Sequence, residues 1–302
     1  MEERAFTVHR GEVLSSLFGT VELTGSIHNL PSSDPDLNIS IAAREIPLSI
    51  LRIIASGLPP AAHDADDEQG SGRADIRVTG TYRSPRASGI LSATLKKMNT
   101  GDVILTSALV KVPFEYASET FMVRQASLEA SEVIVPRGGH DRDPRLRAEN
   151  CALHMPAFDM REGFIGSGEF VLRADSVVMF QEDKEFFRDA GIILEGELEG
   201  ERKQQNLLVR KIFSASGVLN GLTGSIHVIF GSPVRIKTFF TGNGIDLHTV
   251  AGKFPLHEKV RKVSVRGETS LRFHSEISVP HDQAPRVAGT FEVTVRKGGF
   301  SS

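Results

Sequence analysis

Apolar residues recur at every second position through most of this chain, and that period limits what it can fold into. Val21, Leu23 and Ile27 share one face of their segment, with Gly25 leaving a gap between them. Leu37, Ile39 and Ile41 repeat the pattern after Pro31-Ser32-Ser33-Asp34-Pro35. Ala74, Ile76 and Val78 alternate with Arg73, Asp75 and Arg77, and Val234, Ile236, Thr238 and Phe240 with Arg235, Lys237 and Phe239. Leu271, Phe273, Ile277 and Val279 oppose Arg272 and His274, and Phe291, Val293 and Val295 follow in the same style. One apolar and one polar face mark half-buried antiparallel strands. Turn signals at Ser84-Pro85-Arg86, Asn99-Thr100-Gly101, Arg137-Gly138-Gly139, Asn220-Gly221 and Gly231-Ser232-Pro233 separate the runs. Many strands at short spacing predict an extended all-β architecture.

Helix is scarce. Ile46 to Gly57 is the best candidate, with Pro47 suited to a first turn, Gly57 and Pro59-Pro60 to a stop, and Ile46, Ile50, Ile53 and Ile54 on one side. It is expected to cover one end of the sheet. A second candidate spans Glu182 to Ala190, around Phe186 and Phe187. Residues 61–71, acidic around His63, Asp64, Asp66, Asp67 and Glu68, and residues 137–147, polar and holding Gly138, Gly139 and Pro144, read as mobile loops.

Composition excludes several function classes. Lys+Arg 35 against Asp+Glu 38 gives a formal charge of −3, with no net attraction for nucleic acid or an anionic membrane surface. A single cysteine, Cys151, excludes a disulfide framework and a Cys-rich zinc site. No apolar run of about 18 residues exists, and Met1-Glu2-Glu3-Arg4 lead into an alternating segment rather than a signal-peptide core. Work outside the cytoplasm therefore needs an upstream segment to take the protein there. The aromatic set of 18 Phe, 2 Tyr and no Trp cannot build the girdles of an outer-membrane barrel.

The hexapeptide Leu23-Thr24-Gly25-Ser26-Ile27-His28 returns unchanged as Leu222-Thr223-Gly224-Ser225-Ile226-His227. Later landmarks keep the order. Ile46-Pro47-Leu48 matches Ile245-Asp246-Leu247, Leu58-Pro59 matches Phe254-Pro255, and Gly72 to Val78 matches Gly267 to Phe273. Pro85-Arg86-Ala87-Ser88-Gly89 matches Pro285-Arg286-Val287-Ala288-Gly289. One unit runs strand, turn, strand, short helix, loop, strand, turn, strand, near 19–96 and again near 218–296. A piece of sheet that cannot bury its apolar face alone is extended by its neighbours, so residues 1–302 read as one continuous repetitive trough rather than two independent domains.

The segment Gly72-Arg73-Ala74-Asp75-Ile76-Arg77-Val78-Thr79-Gly80-Thr81-Tyr82-Arg83-Ser84-Pro85-Arg86-Ala87-Ser88-Gly89-Ile90-Leu91 resembles the signature of AsmA-like and TamB-like bacterial envelope proteins. Ile46-Pro47-Leu48-Ser49-Ile50-Leu51 resembles the short helical insert that precedes it in those proteins. The resemblance implies a long antiparallel sheet curled into an open trough with an apolar lining and one or two short helices. It implies a bridge-like, lipid-binding protein of the periplasm or cell envelope of a diderm bacterium, carrying phospholipid toward the outer membrane. Inner-membrane anchoring would come through a segment absent from this chain, and envelope proteins are the expected partners.

The residues support a lipid site independently. A strand of nine or ten residues spans about 30 Å, and one leaflet of hydrocarbon is about 15 Å deep. An apolar lining without hydrogen-bonding groups suits an acyl chain, each CH₂ of which gains about 0.8 kcal/mol on leaving water. The expected lining is Val21, Leu23, Ile27, Leu37, Ile39, Ile76, Val78, Val234, Ile236, Phe240, Leu271, Phe273, Ile277, Phe291 and Val293.

No catalytic constellation, metal site or cofactor motif emerges. His63 with its aspartates and His140 with Asp141 and Asp143 read as acidic loops rather than cation sites. Cys151 near His154 reads as a small apolar filler rather than a nucleophile. His28 and His227 hold matching repeat positions and are expected to share one structural role. Gly163, Gly166 and Gly168 open no helix, so they cradle no phosphate. The alternative function is a structural or interaction scaffold whose strand faces close into a dry core without lipid. A carbohydrate-active enzyme is a distant third, lacking Trp platforms and a fixed carboxylate pair.

Overall fold

The structure, a computed structural model, describes residues 4–15, 19–30, 32–48, 69–99, 103–137, 140–161, 165–181, 184–201, 204–215, 221–229, 234–246, 264–279 and 286–301. They form fifteen strands. In the first part of the chain these are β1 (Phe6–Ser15), β2 (Gly19–His28), β3 (Asp36–Pro47), β4 (Gln69–Thr81), β5 (Ser84–Asn99), β6 (Ile104–Ala117), β7 (Thr120–Arg137) and β8 (His140–Arg161). Next come β9 (Ile165–Gln181), β10 (Lys184–Glu201), β11 (Gln204–Ser214), β12 (Leu222–Ile229), β13 (Val234–Asp246), β14 (Ser264–Val279) and β15 (Arg286–Ser301). Strand order follows chain order from β1 to β15, so each strand lies beside its sequence neighbours in a continuous meander. The order begins at β1 and ends at β15, and the sheet does not close into a barrel. The all-β expectation is therefore met by one long antiparallel sheet.

The chain groups into two compact units: Met1–Val133 with His154–Glu162, and Ile134–Leu153 with Gly163–Ser302. Each carries one copy of the repeat, as β2 to β5 in the first and β12 to β15 in the second. The copies share an irregularity as well as an order. Register slips between Arg44 and Ile46 where β3 meets β4, and between Asn243 and Ile245 where β13 meets β14. Glu45 and Gly244 thus stand at one position of the repeat. Glu45 takes the left-handed conformation, with φ 58°, as an extra residue in a bulge can.

Three sequence expectations need correction. The segment from Glu182 to Ala190 is not helical: Lys184 onward belongs to β10, where Met179 pairs with Phe187 and Val177 with Asp189. Phe187 and Asp189 are buried while Arg188 and Ala190 are exposed, a period of two. Nine residues are too few to offset helix nucleation, and phenylalanine favours strands. Residues 140–147 open β8 rather than forming a loop, and 69–71 open β4. Only two residues separate β7 from β8, and the two strands are hydrogen-bonded neighbours, so the polar run continues the sheet through main-chain pairing. Of the first helix candidate, Ile46 and Pro47 end β3 and Leu48 is helical. Its remainder, and residues 61–68, lie outside the described residues.

Candidate lipid-facing surface

In the first unit, register stacks the alternating residues into rows that cross the strands. Val13 of β1 pairs with Val21, Val21 with Ala43, Ala43 with Ala74, Ala74 with Leu91 and Leu91 with Val112. The next row runs Gly11, Leu23, Ile41, Ile76, Gly89 and Phe114. Beyond it come Val8, Gly25, Ile39, Val78, Ala87 and Tyr116, and then Phe6, Ile27, Leu37, Gly80 and Pro85. A period of two places all four rows on one face. Of the expected lining, Val21, Leu23, Ile27, Leu37, Ile39, Ile76 and Val78 are brought together here.

Those seven side chains are half-buried, none of them sealed. Lateral packing within a single sheet covers the flanks of each side chain and leaves its tip. Ala43 and Ala74, in the middle of the rows, are buried beside Val21, Ile76 and Leu91, and Phe114 at the end of its row is buried as well.

One end of this face is closed. Leu48, just past β3, is buried to 7% against Leu95, Leu105, Ala108 and Ala130, with Met98, Val110, Leu128 and Val133 around them. Its Cδ1 lies 3.1 Å from where a Cβ on Gly70 would stand. Gly70 pairs with Leu95 and Leu95 with Ala108, so the cluster sits on the same apolar face as the rows. Leu48 belongs to the segment expected to cover one end of the sheet, whereas its partners were not among the expected lining residues. It is the one helical residue of that segment among those described.

The opposite face is mainly polar, with Ile90, 48% exposed beside Asp75, as an exception. Arg10 reaches Glu22 at 3.4 Å, Arg73 holds Asp75 at 2.7 Å, and Arg77 donates to Asn38 at 3.4 Å. The Asp75 carboxylate, hydrogen-bonded to the Arg73 guanidinium, pushes that guanidinium's pKa further up. Exposed pairs like these add little stability, but they fix which face meets water.

The second unit builds a comparable face with aromatic filling. Phe170 pairs with Gly196, Gly196 with Val209, Val209 with Gly224, Gly224 with Phe240, Phe240 with Phe273 and Phe273 with Phe291. The glycines accommodate the rings: a Cβ on Gly196 would come within 2.8 Å of the Phe170 ring, and one on Gly224 within 2.4 Å of Phe240. Ile236, Phe240 and Phe273 are half-buried. Of the other expected lining residues, Val234 pairs with Val279, Ile277 with Ile236, Leu271 with Gly242 and with Val293. The row of Ile226, Thr238, Ser275 and Gly289 carries a polar pair that the period did not announce. Thr238 Oγ1 and Ser275 Oγ lie 2.7 Å apart, so a hydroxyl on this face is satisfied internally.

The remaining candidates hold little chemistry. Cys151 is buried, and desolvation first, then the charge of Asp175, pushes its thiol pKa up. That keeps it in the unreactive thiol form. His154 is exposed. His28 and His227 do not share an environment: His28 is exposed with Nε2 2.8 Å from Ser26 Oγ, while Nε2 of His227 is buried. Identical neighbours in sequence face different strands, which is why the common role fails. Among the described residues, no group of three or more His, Cys, Asp and Glu side chains is placed to hold a metal. No helix among them is long and apolar enough to cross a membrane.

No protein-family model, curated protein or solved structure matches this chain.

Proposed function

We propose that this protein binds acyl lipid on the apolar face of its sheet and acts as a bridge-like carrier of phospholipid in a diderm cell envelope, in the manner of the AsmA-like and TamB-like proteins its repeat resembles. One observation carries the reading. The apolar rows cross neighbouring strands, their large aliphatic side chains are only half-buried, and they are backed by a face that carries ion pairs. An apolar face left partly open to water costs free energy and is suited to binding. Its lining offers hydrocarbon contact with few hydrogen-bonding groups, which matches an acyl chain better than a polar ligand.

Photo-crosslinkers test it directly. Placed at Ile236 and Phe273, they are expected to capture phospholipid in cells; placed at Arg235 and Arg272, they are not. Equal labelling of the two faces overturns the reading. The closed cluster around Leu48 favours the second reading, a scaffold with a dry core. Lipid extraction of the purified chain separates the two, because a scaffold of that kind carries none.

A further inference from the structure

The apolar face of the first unit has a measurable depth. The row of Gly70, Leu95 and Ala108 lies under the Leu48 cluster. From Ile76 to Gly80 along β4 the side chains of the rows are half-buried or exposed rather than sealed, about 13 Å of strand. The two ends differ in chemistry. At the Leu48 end the neighbours are Leu95, Leu105, Ala108 and Ala130. At the other, Asn29 donates to Asp36 at 2.6 Å, the backbone N–H of Arg83 donates to Asp34 at 2.8 Å, and Tyr82 is 69% exposed.

We infer that Leu48 is the stop that limits how far an acyl chain reaches along this face, so that the site selects chains of ordinary membrane-lipid length, methyl end toward Leu48 and head group at the polar rim. The inference rests on the lipid-binding reading and adds a specificity-determining residue to it. The occupant is hydrocarbon because Val21, Leu23, Ile39, Ile76 and Val78 supply no side-chain donor or acceptor. A peptide laid there would leave its own N–H and C=O groups without partners. The length is comparable: one leaflet of hydrocarbon is about 15 Å deep, close to the open span. Each further CH₂ that finds cover strengthens binding about fourfold, and each that overruns the stop adds nothing.

The test is displacement of bound cis-parinaric acid from the full chain by laurate, palmitate, stearate and lignocerate. Affinity is expected to climb about fourfold per CH₂ up to palmitate or stearate and then level off. Leu48→Ala should move the levelling toward lignocerate, raising its affinity about tenfold, while Arg77→Ala on the opposite face leaves the break in place. Where Leu48→Ala does not fold, Leu48→Val should shift the break the same way by less. A smooth climb through lignocerate in the natural chain, or a break that ignores both Leu48 variants, overturns the stop and leaves lipid binding standing. Failure of every acid to displace the probe, with no uptake of the probe itself, overturns the lipid reading as well.

Discussion

In β2, Gly25 passes so close to β3 that a Cβ would lie 2.2 Å from the carbonyl oxygen of Asn38. In β12, Gly224 stands at the same place in the repeat, and its Cβ would lie 2.2 Å from the carbonyl oxygen of Phe239. The filling beside them differs: Gly25 pairs with Ile39, Gly224 with Phe240. What the two copies hold in common is a backbone approach, together with the slip at Glu45 and Gly244. What they vary is the side chain that occupies the space. An aliphatic lining in one copy and an aromatic lining in the other therefore sit on the same ladder.

The largest effect tests whether backbone proximity is the shared constraint. Gly25→Val and Gly224→Val should each cost about 3 kcal/mol or more in urea unfolding, because the colliding atom is a main-chain oxygen that cannot rotate away. Gly25 adds a φ of 144°, which side-chain-bearing residues rarely adopt. Adding Phe240→Ala to Gly224→Val removes the ring but not the oxygen, and should recover only a minor part of the loss. Full recovery would mean that ring packing, rather than the ladder, fixes the glycine, and the likeness between the copies would break.

A smaller effect sharpens the difference in filling. Phe240→Ala empties the space above Gly224 and should cost about 3 kcal/mol, whereas Ile39→Ala, at the matching place in the first unit, removes a half-exposed aliphatic chain for about 1 to 2 kcal/mol. Equal costs measured by the same unfolding curves would show that the two faces are packed alike.

Much of this was legible from residue order. The alternation of Ile76 and Val78 with Asp75 and Arg77 fixes both the strand and its faces, because a period of two leaves no other solution. The recurrence of Leu-Thr-Gly-Ser-Ile-His marked both glycines, and the structure supplies their reason. The Phe186-Phe187 segment was misread because nine residues carry too little pattern to separate periods, and only pairing with Met179 and Val177 decides it. The polar start of β8 was misread because composition speaks of side chains, while a ladder is held by main-chain groups. For Leu48 the sequence points to a cover over one end of the sheet but not to what it covers. Its partners Leu95, Leu105, Ala108 and Ala130 come from three later strands, and no local spacing announces that they converge.

The smallest effect falls on the polar faces, where the repeat varies its charges. Arg77 in the first copy donates to a neutral partner, Asn38, at 3.4 Å. Arg272 stands at its place in the second copy and meets Glu292 at 4.0 Å, with side chains 71% and 65% exposed. Water screens such a pair and the long side chains lose entropy in forming it, so Arg272→Ala should cost about 0.5 kcal/mol or less. What cost there is should shrink as ionic strength rises, since the Debye length falls from about 10 Å at 0.1 M to about 3 Å at 1 M. Arg77→Ala should cost a similar amount with weaker dependence on salt, its partner carrying no charge. Unfolding midpoints of both variants in low and high salt check this. A salt-independent loss of 1 kcal/mol or more at Arg272 would mean that this face is packed against something drier than water, and that the polar side of the second copy is not its solvent side.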